Sequence, residues 1–172
     1  ELKGIDLQLT VPEQELVSTV DRDKLRKILV NLMGNAIKYA HAHIDLRLLV
    51  TDGGYEIQVN DDGPGIPNEQ KQKIFEAFYQ LPDDKVATAV GTGIGLAFAK
   101  SLAEAHQGDL RLEDNVGGGS SFILSLPFKE WETEKTSDIV EISPEHADAS
   151  ETISSEYSGK KFTVLLVEDN VD

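Results

Sequence analysis

The 172-residue chain contains no cysteine, which excludes disulfides and thiolate metal sites and suits a reducing compartment. It contains no apolar run near the roughly 20 residues that a helix needs to cross a bilayer, and no secretory signal pattern at its start. Positive charge is also scarce. Only 16 Lys and Arg stand against 31 Asp and Glu, a formal net charge of −15. A nucleic-acid groove needs a basic stripe, so this balance argues against one. An acidic chain can still bind a polyanion, but only through local devices: a bound cation, a few lysines, or backbone dipoles aimed at the ligand. The chain opens on Glu1 rather than Met and reads as a piece of a longer protein. The expected setting of this piece is cytoplasmic, and anchorage of the parent in an inner membrane stays open.

What is present divides into three stretches. Residues 1–128 carry the patterns of one mixed α/β domain. Ile5, Leu7 and Leu9 alternate with polar residues and predict a strand closed by Pro12. Asp21 is a suitable N-cap for a helix whose apolar positions are Leu25, Ile28, Leu29, Leu32, Met33, Ala36 and Ile37, the spacing of a helix packed on one side. Strands are predicted over 43–50 and 55–60, joined by Thr51-Asp52-Gly53-Gly54. A short helix over 68–75, a mobile loop over 80–90 and a second long helix over 94–106, stopped by Gly108, follow. A final hairpin pairs 109–113 with 120–126 and closes at Pro127. Residues 129–161 differ: from Lys129 to Tyr157 nine acids face two bases, with few apolar residues. That composition predicts a solvated linker. From 162 the run Phe162-Thr163-Val164-Leu165-Leu166-Val167 reads as a buried strand ending in the paired acids Glu168 and Asp169.

Three motifs carry chemistry. Asn31, Asn35 and Lys38 stand at i, i+4 and i+7 and share one helix face. Asn is a poor helix-interior residue because its side chain competes for backbone hydrogen bonds, so two at this spacing suggest a purpose. An amide oxygen is a hard neutral ligand that Mg²⁺ accepts beside water and phosphate oxygens. The plain alternative is a solvated polar face. The run Asp61-Asp62-Gly63-Pro64-Gly65-Ile66-Pro67 follows a predicted strand. Its glycines let the backbone turn tightly beside a planar ring, and a carboxylate there can accept from an exocyclic amine. The alternative is an ordinary acidic β-turn. Gly91-Thr92-Gly93-Ile94-Gly95-Leu96 opens the second long helix, where unbonded N–H groups and the positive helix end make an anion site. Its G-x-G-x-G spacing, with no strand immediately before it, does not fit the dinucleotide fingerprint.

Taken with Phe75-Glu76-Ala77-Phe78, the order and spacing of these motifs resembles the catalytic ATP-binding domain of sensor histidine kinases, as its N, G1, F and G2 boxes. The resemblance covers residues 1–128. Residues 162–172 resemble the first strand of a receiver domain, in which Glu168 and Asp169 would help hold Mg²⁺ beside a phosphorylated Asp. The resemblance implies a two-layer α/β sandwich with a mixed, mostly antiparallel sheet covered on one face by about three helices, and a mobile ATP lid. It implies ATP and Mg²⁺ as cofactors. Asn35 would be the metal ligand, Asn31 its water-mediated partner and Lys38 a phosphate contact. Tyr39 would lie along the adenine and Asp61 would accept its 6-amino hydrogen bond, in a turn shaped by Gly63, Gly65 and Ile66. Gly91, Thr92, Gly93, Ile94, Gly95 and Leu96 would surround the phosphates, Lys85 would be the lid's only cation, and Ser120 would line the adenine side. Phe75 and Phe78 would anchor the lid base or simply pack in the core.

The implied reaction is transfer of the ATP γ-phosphoryl group to a histidine on a separate dimerisation domain, and from there to a receiver Asp, within a homodimeric hybrid parent. None of His41, His43, His106 and His146 sits in a phosphoacceptor-like helix. Three alternatives remain open. Hydrolytic members of the superfamily carry a water-activating Glu where this chain has Asn31, and an amide is no general base. A serine-directed kinase of the superfamily is disfavoured by the receiver-like end. An ATP-binding scaffold without phosphotransfer shares every binding motif.

Overall fold

The computed structural model describes residues 4–81 and 92–128. Lys85, Gly91, Glu168 and Asp169, most of the expected lid, the expected linker and the receiver-like run lie outside the described residues. Five strands, β1 (Asp6–Thr10), β2 (His43–Thr51), β3 (Gly54–Asp61), β4 (Asp109–Asp114) and β5 (Ser120–Pro127), form one sheet in the order β1-β2-β3-β5-β4. Only β1 and β2 run parallel; the other neighbours are antiparallel. Two helices, α1 (Arg22–Tyr39) and α2 (Gly95–Ala105), pack on each other and on the sheet. This is the expected α/β sandwich with a mixed sheet.

The apolar stripe of α1 explains its placement. Ile28, Leu32 and Ala36 are fully buried beneath it, and full burial of each larger side chain stabilises by about 1.5–3 kcal/mol. Asp21 caps the helix by accepting from the Lys24 N–H at 3.0 Å. From α2, Ala99 and Ala103 enter the same core, whose sheet side is Ile44, Val59, Leu110, Phe122 and Leu124. Small residues at these α2 positions let the two helices lie close. Strand β1 is an edge, and its Leu7 and Leu9 remain more than half exposed.

The segment expected as one short helix, 68–75, forms two 3₁₀ turns, Asn68–Gln70 and Lys73–Phe75. Of its residues only Ile74 is buried. Ile74 and the partly buried Phe75 are adjacent, so they give no i, i+3 or i+4 stripe to hold a longer helix, and short helices do not stand without one. Among the described residues no helix is long and apolar enough to cross a membrane.

Candidate functional site

At the end of β3 the Asp61 side chain is driven into the interior, and the residue is only 3% exposed. Its Oδ1 accepts from the backbone N–H of Gly63 at 2.8 Å and of Ser120 at 3.3 Å. Burial pushes its carboxyl above the ordinary 3.8, while these two N–H groups pull it back only in part. Gly63 is pressed between chain segments: a Cβ there would stand 2.6 Å from the Tyr39 carbonyl oxygen. Gly65, at φ +71°, lies against the Gly119 carbonyl. Gly119, at φ +94°, lies against Asp61, so that a Cβ would stand 2.0 Å from the Asp61 carbonyl oxygen. Only glycine tolerates both that φ and that approach.

Asp62 turns the other way. Its Oδ1 accepts from the N–H groups of His41 at 2.8 Å and Ala42 at 3.1 Å, tying the α1–β2 connection to the end of β3. Desolvation acts upward on its carboxyl, but the backbone N–H groups of Ala42, His43 and His41 outweigh it and hold the group below 3.8.

The second wall starts at α2. Gly95 is its first residue, and Ile94 before it supplies no side-chain cap, in contrast to Asp21 at α1. Among the described residues the first-turn N–H groups therefore have no side-chain cap, as an anion site requires. Across from them Asn31 donates its Nδ2 to the Lys27 carbonyl at 2.8 Å. That bond aims its Oδ1 at the helix start, where a Cβ on Gly95 would stand 2.5 Å away. Asn35 lies half-buried one turn further along α1, and among the described residues its amide has no hydrogen-bond partner. The Lys38 ammonium donates to the Tyr39 hydroxyl at 2.7 Å and lies 4.6 Å from the Tyr39 ring centre. Leu96 and Ile66 pack against the core, while Thr92 and Ile94 are exposed.

The base of the segment between these walls is pinched shut. Phe78 donates its N–H to the Gly93 carbonyl at 2.9 Å, and a Cβ on Gly93, at φ +70°, would stand 2.8 Å from the Phe78 carbonyl carbon. Phe78 itself has φ 67° and is 74% exposed, so it is not a core residue. Phe75 takes that role, packed against the core with the Lys100 ammonium 4.9 Å from its ring. The two phenylalanines, read together from the sequence, thus do different work.

Two contributions escaped sequence reading. Asn115 donates its Nδ2 to the Asp61 carbonyl at 2.9 Å, and Gly119 closes on the same peptide. The available signal was the run Asn115-Val116-Gly117-Gly118-Gly119 between two strands, three consecutive glycines beside an amide. His106 is structural: it is buried at the end of α2, with Nδ1 2.7 Å from the Leu102 carbonyl. Among the described residues no three His, Cys, Asp or Glu side chains are grouped to hold a metal. A cation here would thus depend on amide oxygens, ligand oxygens and water, the donor set that Asn35 and Asn31 offer and that Mg²⁺ accepts.

A family model described as histidine kinase-, DNA gyrase B- and HSP90-like ATPase matches residues 20–130. The sensor histidine kinase WalK of Bacillus subtilis is 33% identical over 124 residues, covering 70% of this chain and 20% of that protein. The adaptive-response sensory kinase SasA of a Synechococcus strain is 38% identical over 128 residues, covering 73% of this chain and 33% of that protein. The chain therefore spans a third or less of either relative. Among solved structures, full-length ShkA in complex with AMPPNP superposes with a TM-score of 0.64 at 34% identity, over 73% of this chain and 26% of that one. The nucleotide-free catalytic domain of the histidine kinase ThkA gives a TM-score of 0.64 at 27% identity, over 73% of this chain and 82% of that one.

Proposed function

The chain belongs to the histidine kinase-, DNA gyrase B- and HSP90-like ATPase family, and from that premise we propose that it is the ATP-binding catalytic domain of a hybrid sensor histidine kinase. One observation carries the reading: a buried, doubly hydrogen-bonded carboxylate at Asp61 and an uncapped helix start at Gly95, facing the Asn31 amide, are held in one fold. The first suits an exocyclic amine, the second a phosphate.

In this reading Asp61 accepts from the adenine 6-amino group with the oxygen capacity left beside its two backbone bonds, while Gly63 and Gly65 let the ring approach. The first-turn N–H groups of α2 and the Lys38 ammonium take the phosphates. Asn35, with Asn31 behind it, would hold Mg²⁺, which when bound neutralises charge on the transferring phosphoryl group. The chain's own residues position the nucleotide and leave its γ-phosphate in line for an imidazole nitrogen supplied by a dimerisation domain. The bond from the γ-phosphorus to the bridging oxygen breaks, a phosphorus–nitrogen bond forms, and ADP leaves. Positioning and charge neutralisation account for most of such catalysis. Water is a poor competitor because position 31 holds an amide already bonded to the Lys27 carbonyl, not a general base. Homodimerisation of the parent and onward transfer to a receiver Asp complete the proposal.

The test is direct. The 172-residue chain, with Mg²⁺ and γ-labelled ATP, should bind the nucleotide, hydrolyse it slowly and gain no acid-labile label on His41, His43, His106 or His146. Mixed with the parent's histidine-bearing helices it should label them. Binding without transfer to those helices would favour a scaffold, and rapid turnover without them a hydrolytic ATPase.

A further inference from the structure

We infer that Asn115 is a positioning residue for base recognition, holding Asp61 in place through the β4–β5 loop without touching the ligand itself. The inference rests on the reading of Asp61 as the adenine acceptor. Pairing of β3 with β5 ends at Asn60 and Ser121, yet β3 runs on to Asp61. On the β5 side the ladder has stopped where the recognition residue sits, while on the other side Asp61 still pairs with Ile44 of β2, so something else must fix its β5 flank. The loop between β4 and β5 does so from two sides. Asn115 Nδ2 donates to the Asp61 carbonyl at 2.9 Å, and Gly119 lies so close to the same carbonyl that a Cβ would collide with it.

The loop is itself closed on Asn115: its N–H donates to the Gly119 carbonyl at 3.2 Å, and its carbonyl accepts from Gly118 at 3.0 Å. Ser120, the next residue, supplies one of the two N–H bonds to the Asp61 carboxylate. Glycines at 117, 118 and 119 all have positive φ and supply no side chain that could hold the loop. The Asn115 amide is thus the one side chain joining this loop to the Asp61 peptide among the described hydrogen bonds. Its loss should let Ser120 and the Asp61 carboxylate drift relative to each other, blurring the acceptor direction while leaving the phosphate wall intact.

The prediction separates the base from the phosphates. ATP and purine riboside triphosphate, which lacks the 6-amino group, are titrated into the full chain by calorimetry. Wild type should prefer ATP. Asn115→Leu, near-isosteric but without a donor, should weaken ATP by about three- to tenfold and leave the purine analogue unchanged. In an Asp61→Asn background the same substitution should have no further effect on ATP. Asn115→Ser, which shortens the donor with little change of polarity, provides a second variant should the leucine fail to fold; it should show the same selectivity loss, and unchanged binding of the purine analogue certifies a folded pocket. Equal weakening of both nucleotides, or an effect that persists beside Asp61→Asn, would overturn the positioning role while leaving Asp61's role standing. A wild type that does not distinguish ATP from the purine analogue would instead overturn the adenine reading and this inference with it.

Discussion

Asp61 is 3% exposed and gripped by backbone from β5 and from its own turn, whereas Asn31 and Asn35 stand half-buried on one face of α1 and act through their side chains. The Asp61 end is made of close backbone approaches at Gly63 and Gly119; the Asn31 end is made of amides and an open helix start. A backbone-built end has few tolerated substitutions, because any Cβ meets a carbonyl. A side-chain-built end can be altered one group at a time. A substitution at position 31 therefore leaves the Asp61 end untouched.

The comparison breaks first at glycine. Gly119→Ala must move the Asp61 carbonyl, since its Cβ would stand 2.0 Å from that oxygen at a φ of +94°. Gly117→Ala meets nothing within 4 Å and bears only the strain of φ +99°. We expect Gly119→Ala to lose about 3 kcal/mol or more of stability and Gly117→Ala about 1–2 kcal/mol. Urea unfolding measures both. Equal losses would mean that the Gly119 contact is not what limits the site.

A second pair sharpens it. Asp61→Asn replaces a charged acceptor, so ATP affinity should fall by about 1.5–3 kcal/mol, or roughly ten- to a hundredfold, with or without Mg²⁺. Asn35→Ala should weaken ATP by about tenfold in Mg²⁺ and much less in a chelator, with thermal unfolding nearly unchanged. Calorimetry in both buffers decides. A Mg²⁺-independent loss at Asn35 would remove its metal role.

Much of this was legible beforehand, for different reasons at the two ends. Helix α1 announced itself by its apolar spacing and its Asp21 cap, both present except that Ile37, expected on the packed side, is 53% exposed near the helix end, and the expected strands differ from those found by a residue or two at their ends. Asn31 and Asn35 were legible because polar residues are conspicuous on an amphipathic helix. At the other end, Asp61 was legible only as a strand-end carboxylate. Besides the Gly63 N–H of its own turn, what holds it comes from residues more than 50 positions away, Asn115 and Ser120, and no local periodicity encodes a contact of that range. The 68–75 segment misled because its polar residues suit a helix, while the absence of a second anchor at helical spacing decides between a helix and two 3₁₀ turns. Phe75 and Phe78 are alike in sequence, and only the left-handed backbone at Phe78 separates them.

The finest contrast lies within the Asp61 end, between two adjacent carboxylates. Asp61 is pushed above 3.8 by burial, and Asp62 is held below it by backbone N–H groups that outweigh its desolvation. The folded chain therefore binds the Asp61 proton more tightly than the unfolded chain, so the stability linked to Asp61 is full below 3.8 and is lost as pH rises through its raised value. For Asp62 the sign reverses: its contribution is present above 3.8 and is lost as pH falls through its depressed value. Asparagine at either position keeps an oxygen acceptor and removes the titration. Relative to wild type, Asp61→Asn should gain in urea midpoint as pH rises from about 3 towards 7, while Asp62→Asn should trail at neutral pH and close the gap below about 4. The slopes of the two difference curves should have opposite signs, although both substitutions remove one negative charge from the same strand end and alter the net charge equally. General charge repulsion in so acidic a chain would instead tilt both curves the same way, so parallel slopes would show that net charge, and not the opposed environments of these two neighbours, governs their titration.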